Sequence, residues 1–207
     1  MVEGGGLENR FPVLRNGGSN PSPSATFAFL KGVNIGGHKL VPMPALKKAF
    51  EAMGFKKVRT VLASGNVAFE SPGKRPPSGP QVSEGLEKAL GFAVMVILRP
   101  ASELRAMIAA DPFRDIPVGP SIKPCVTFLA NENPRRPHIR LPEPEKGLRI
   151  VRVTPGEIFS IVCYDENGRT PALMSYVEKV FGADGTTRTW GTVLKLAGAG
   201  MRQWPDI

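Results

Sequence analysis

Read for the spacing of its apolar positions, the chain divides from residue 25 onward into short apolar runs and amphipathic stretches. The run Ala25–Leu30 is aromatic and apolar throughout and predicts a buried strand. Residues 44–53 predict a helix: Leu46, Ala49, Phe50 and Met53 share one face, with Lys47 and Lys48 opposite. Pro44 suits the first turn of that helix and Gly54 ends it. Residues 58–63 and 67–70 predict the two strands of a hairpin around a tight turn, Ser64-Gly65-Asn66. Residues 82–90 predict a second helix, closed by Gly91, and residues 92–98 a strongly apolar strand. The order over residues 25–98 is therefore β-α-β-β-α-β, the pattern of a ferredoxin-like unit.

The second half carries a comparable pattern without clear repetition of sequence. A helix over Ala101–Ala110 ends at Asp111-Pro112-Phe113, because a residue before proline avoids the helical region. Residues 123–130 predict a strand, 131–147 a long polar stretch with Arg135, Arg136 and Arg140, and Leu148–Val153 with 157–164 a hairpin around Pro155-Gly156. A helix starts near Thr170-Pro171 and closes at Gly182. The link 186–189, which leaves room for a short strand, leads into a last helix, residues 190–197, and a loose tail over 199–207. The fold expected is α+β: two ferredoxin-like lobes with mainly antiparallel sheets, over 25–98 and 121–198, connected by a helix and linker at 99–120.

Composition adds limits. The 207 residues contain no apolar run long enough to span a bilayer. Residues 1–24 lack the apolar segment of a secretory signal and are rich in Gly, Asn, Pro and Ser, which predicts a disordered leader on a cytoplasmic protein. Cys125 and Cys163 sit in separate apolar runs, and His38 and His138 are far apart, a pattern that fits buried reduced thiols and no metal site. No cofactor is expected. Charge changes the picture more. Nine cations from Lys31 to Arg75 face only Glu51 and Glu70, so this stretch carries +7 of the chain's +9. Such a concentration suits an anionic partner, nucleic acid or a phosphorylated small molecule, although a solvated helix face would carry the same residues.

The candidate chemistry centres on the glycine-rich turn from Lys31 to Lys39. Between a strand and a helix, such a turn lets backbone approach a phosphate. Gly32 and Gly37 have P-loop spacing, but His38 and Lys39 stand where Lys and Ser or Thr are required, which excludes Walker-type phosphate transfer. Lys31, Asn34, Gly36 and Gly37 are the leading ligand candidates, with Ser64 and Asn66 of the hairpin and the pair Arg188 and Trp190 as further ones. In this unit the strand-to-helix turn and the hairpin turn are expected at opposite ends of the sheet, which argues against one shared pocket unless the second lobe folds over an end. Ser64 has His38 as a conceivable base, but no third orienting group stands out. Phe27, Phe29 and Phe69 invite comparison with an RNA-recognition sheet, where such rings stack on bases. The competing reading packs them under the helices.

Three segments together resemble a bacterial family catalogued as domain of unknown function 1697: Phe29-Leu30-Lys31-Gly32-Val33-Asn34-Ile35-Gly36-Gly37 with Val41-Pro42-Met43, then Gly54-Phe55 through Ser64-Gly65-Asn66-Val67, then Thr186-Thr187-Arg188-Thr189-Trp190-Gly191-Thr192. The resemblance covers residues 25–197 and implies a compact α+β fold, with no established activity. Where the family more often has Arg, this chain has Lys31, and Thr189 and Gly191 replace Asn around the Trp. A point charge then stands where a planar fork would, so bidentate recognition at position 31 is not expected.

Three functions fit these residues. One is a cytoplasmic protein that binds an anionic ligand, nucleic acid or nucleotide, through its basic first lobe. The second is an enzyme acting on a phosphorylated or polar small molecule, for which no acid–base pair or nucleophile constellation stands out. The third is a structural or protein-interaction module in which Arg188 and Trp190 dock the lobes.

Overall fold

The computed structural model describes residues 25–34, 40–72, 75–116, 119–131 and 144–201, the last three in backbone only. The expected leader, Gly36, Gly37, His38, Lys39, the arginines at 135, 136 and 140, His138 and residues 202–207 lie outside the described residues.

In chain order the elements are β1 (Ala25–Leu30), α1 (Met43–Ala52), β2 (Lys56–Thr60), β3 (Asn66–Glu70), α2 (Gly79–Leu90), β4 (Val96–Pro100), α3 (Ala101–Ala110), β5 (Ile122–Leu129), β6 (Leu148–Val153), β7 (Glu157–Cys163), α4 (Leu173–Phe181), β8 (Gly185–Thr189) and α5 (Trp190–Met201). The fold is α+β. The strands form two four-stranded sheets, β2-β3-β1-β4 and β6-β7-β5-β8, and all the neighbouring strands are antiparallel. Each half thus places its own four strands in the same order.

Alternation along β1 decides how the layers meet. Ala28 and Leu30, with Val67 and Phe69 of β3, pack under Leu46 and Phe50 of α1 and Val82 and Leu86 of α2. Phe27 and Phe29 point the other way, into a cluster with Val126 and Phe128 of β5 and Phe159 and Ile161 of β7. Leu104 of α3 and Val193 and Leu196 of α5 fill the same cluster. Beyond the second sheet, Cys125, Leu129, Ile158 and Val162 meet Leu173, Val177 and Phe181 of α4. The order of layers is helices, sheet, sheet, helix, and the largest aromatic side chains lie between the sheets or under α1 and α2.

This arrangement corrects the comparison with an RNA-recognition sheet. Phe27, Phe29 and Phe69 are all 0% exposed, so none can stack on a base. The sheet face that such proteins leave open is covered here by the second sheet, with Phe29 stacked on Phe128 at a ring separation of 4.0 Å.

Local corrections have local causes. Asn66 is not a turn residue but the first residue of β3, completely buried; the turn is the five residues before it. The fourth strand begins at Val96, four residues later than the apolar run suggests, because Phe92 and Val94 pack on the helix-side core. The link before the last helix is a strand, β8, whose threonines suit a pleated edge although they give no apolar signal. The last helix continues past Gly198 to Met201. α2 starts at Gly79 because Ser78 and Gln81 form a capping box, each side chain bonded to the other's backbone.

Candidate functional site

β1 and β2 run in the same direction because α1 carries the chain back between them. Both therefore end at the same edge of the sheet, and the expectation of opposite ends is wrong. Phe29 stands opposite Asn66, and the Leu30 amide donates to the Gly65 carbonyl at 2.8 Å. Gly65 has φ +69°, and a Cβ there would lie 3.0 Å from the Leu30 side chain, so glycine lets the turn press on the end of β1. The β1–α1 connection and the β2–β3 turn share one corner.

Asn34 ties the two loops together. It takes a left-handed conformation, φ +57°, that asparagine tolerates. Its Nδ2 donates to the carbonyls of Val41 at 3.0 Å and Ala63 at 2.8 Å, while its Oδ1 accepts from the Val41 amide at 2.7 Å. Lys31, half exposed, pairs with the equally exposed Asp184, which precedes β8.

Arg188 reaches this corner from β8 of the other sheet. It is 9% exposed, and each of its five N–H groups has an acceptor. Nε donates to Asn66 Oδ1 at 2.6 Å; Nη1 donates to Thr186 Oγ1 at 2.7 Å and the Thr187 carbonyl at 2.9 Å. Nη2 donates to the carbonyls of Leu30 at 2.8 Å and Ser64 at 3.1 Å. Asn66 Nδ2 in turn donates to Ser64 Oγ at 2.9 Å and the Val61 carbonyl at 3.2 Å. Loss of water around the guanidinium pulls its pKa down to about 10, still well above neutrality, so Arg188 remains a cation among neutral acceptors. Its carbon centre lies 5.9 Å from the Phe29 ring centroid.

Lys31, Asn34, Ser64, Asn66 and Arg188 thus come together at one corner, with their polar groups bonded within the protein rather than lining an open pocket. Arg188 has no N–H left over for an anion. Ser64 Oγ is held by Asn66, and its conceivable base, His38, lies outside the described residues. Trp190 does not meet Arg188's acceptors; its ring packs edge-on against Phe113 at 5.3 Å, at the margin of the inter-sheet core. Gly36 and Gly37 lie outside the described residues.

The sequence reading missed a second clamp, which answers the first. Arg99 of β4 stands two residues before α3, as Arg188 stands two residues before α5. Arg99 reaches across to the second sheet: Nε donates to Glu157 Oε1 at 2.7 Å, and Nη2 to the carbonyls of Leu129 at 3.1 Å and Gly156 at 2.8 Å. Leu129 ends β5 as Leu30 ends β1, and Glu157 opens β7 as Asn66 opens β3. Arg99 also lies 5.8 Å from the Phe128 ring centroid, matching Arg188 over Phe29. Each half grips the other at equivalent positions, around one aromatic pair. The halves differ in charge, since Arg99 has a carboxylate partner and Arg188 an amide. The shared signal in the sequence is an arginine two residues from a helix start at the end of each fourth strand.

Elsewhere, a cleft of about 280 Å³ lies between α3 and the β6–β7 turn, with Met107, Pro112 and Phe159 as walls and Glu103, Arg152 and Thr154 among its polar groups. Among the described residues no cluster of three or more His, Cys, Asp or Glu side chains is placed to hold a metal ion. No described helix is long and apolar enough to cross a membrane.

The chain is similar in structure to the conserved bacterial protein SP0830 from Streptococcus pneumoniae, with a TM-score of 0.57 and 21% identity over 86% of this chain and 98% of that one. That likeness concerns the fold alone. No curated protein matches the chain. The profile of one family, described as "Protein of unknown function (DUF1697)", matches residues 24–159, and the chain belongs to that family.

Proposed function

We propose that this protein is a non-catalytic binding protein for nucleic acid, with its contact surface on α1 and the adjoining edge strand β2 rather than at the glycine turn. The observation that carries this reading is the exposure of Lys47, Lys48, Lys56, Lys57 and Arg59 on those two neighbouring elements. Lys47 pairs with Glu51 and Lys57 with Glu70, whereas Lys48, Lys56 and Arg59 form no ion pair with a described residue. Lysines and a register break at an edge strand also serve to prevent edge-to-edge pairing. That explanation covers β2 but not the two lysines on α1.

The same reading divides the chain into ferredoxin-like lobes over 25–98 and 121–198, supported by the identical strand order of the two sheets. Lys31, Ser64, Asn66, Arg188 and Trp190 then hold the lobes in one body, while Asn34 fixes the corner of the first lobe that Arg188 enters. A small-molecule enzyme has weaker support, because the polar groups at the signature corner are occupied by one another.

The test is binding of labelled DNA and RNA by fluorescence anisotropy across a salt series. The expected result is affinity that falls with salt at a slope of about −3 to −4, at ~0.9 per phosphate contacted. The triple variant Lys48→Glu/Lys56→Glu/Arg59→Glu should abolish binding with an unchanged melting temperature. Absence of binding at low salt, or full binding by the triple variant, overturns the proposal.

A further inference from the structure

Leu62, two residues past the end of β2, is the first exposed residue of the β2–β3 turn. Leu62 has φ +58°, a left-handed backbone that bulky residues rarely adopt, yet it is 45% exposed. Glycine would satisfy this backbone without strain. Leu40 is 68% exposed, the highest value among the described large apolar side chains. The Asn34 amide bonds the carbonyls of Val41 and Ala63, the residues after Leu40 and Leu62, so both leucines flank one pinned corner. That corner stands at the end of the strand bearing Lys56, Lys57 and Arg59.

We infer that Leu62, with Leu40 beside it, is an apolar wedge that enters a base step of double-stranded DNA while the cations of β2 and α1 hold the flanking phosphates. This rests on the nucleic-acid reading above and names its substrate. Apolar side chains inserted between base pairs unstack one step and kink the duplex. Binding of single strands relies on exposed aromatic platforms. On this lobe Phe27, Phe29, Phe50 and Phe69 are 0% exposed, and Phe55 packs against Phe69 at 4.4 Å. The lobe therefore offers phosphate contacts and a wedge, which suit a duplex with a deformable pyrimidine–purine step.

The full-length protein is titrated into a 20-base-pair DNA duplex carrying dyes at its two ends, with single-stranded DNA and duplex RNA as parallel arms. Wild type should shorten the end-to-end distance and bind the DNA duplex tightest. Leu62→Ala should bind about tenfold more weakly and leave the duplex straight. Leu62→Gly should lose the kink equally while its melting temperature holds or rises, which separates the wedge from a folding role. The wedge is overturned if wild type binds without bending, if Leu62→Ala bends DNA as wild type does, or if single strands or duplex RNA bind tighter. An unaffected Lys48→Glu/Lys56→Glu/Arg59→Glu variant instead overturns the basic surface itself. No binding in any arm overturns both.

Discussion

Replacing Arg188 by alanine separates a docking residue from a ligand-binding one. The five Arg188 N–H groups each donate a hydrogen bond, with Nη2 also reaching the Gly65 carbonyl at 3.5 Å, all as a charged donor and most to buried oxygens. At about 1.5 kcal/mol for each bond to a charged group, their loss costs roughly 7 kcal/mol. Against this, the wild-type guanidinium bears a desolvation penalty, seen as a pKa drawn from 12.5 to about 10. At ~1.4 kcal/mol per pH unit that penalty is about 3 kcal/mol, and alanine removes it. The net expectation is a loss of about 4 kcal/mol, because the acceptors left behind are neutral and alanine strands no buried charge. Urea unfolding of wild type, Arg188→Ala and Arg188→Lys measures it. Lysine offers one donor centre in place of a fork and should recover only a minor part. The midpoint should fall with little change in slope. A loss below about 1 kcal/mol refutes the clamp, and so does a variant of normal stability that no longer binds nucleic acid.

Three further outcomes follow from the packing. In a double-mutant cycle on Phe29→Ala and Phe128→Ala, each single change should cost about 3–5 kcal/mol, with a coupling near 1 kcal/mol from the stacked rings, read by urea midpoint. Gly185→Ala should lower the melting temperature, because its Cβ would stand 2.5 Å from the Phe128 carbonyl, backbone that can yield only by parting β8 from β5; an unchanged melting temperature contradicts that packing. Burial pushes the Cys125 thiol up to about 11 from 9.0. The folded state then holds this proton where the unfolded state has released it, so the contribution is full below pH 9 and is lost as pH rises through 11. Stability of wild type should drop by roughly 2 kcal/mol more than that of Cys125→Ser over this range, and parallel curves would contradict it.

The exposed cations of α1 were legible in the sequence because a helix turns at a fixed angle and Leu46, Ala49 and Phe50 fix its inner face. Asn34 and Arg188 were also legible as unusual, but their roles were not. An asparagine in a glycine-rich turn and an arginine before a helix look the same whether they face a ligand or a carbonyl. Arg99 and Glu157 passed unnoticed because each ends or opens an ordinary strand, and their partnership spans 58 positions.

By itself, the sequence determined the α+β class, the five helices, most of the strands and the concentration of charge in the first half. Those depend on periods of two and 3.6 residues and on short-range turn and capping chemistry. Tertiary structure alone decided that both signature turns share one corner, since that depends on the direction in which α1 returns the chain. It also decided that Phe27 and Phe29 are covered, since an apolar strand face does not specify whether a helix, a second sheet or a base will lie on it. The acceptors that surround Arg188 were decided in the same way. A guanidinium binds whichever oxygens reach it first, and here Asn66 Oδ1 and the carbonyls of Leu30 and Ser64, from a distant part of the chain, join Thr186 Oγ1 and the Thr187 carbonyl to occupy all five of its donors.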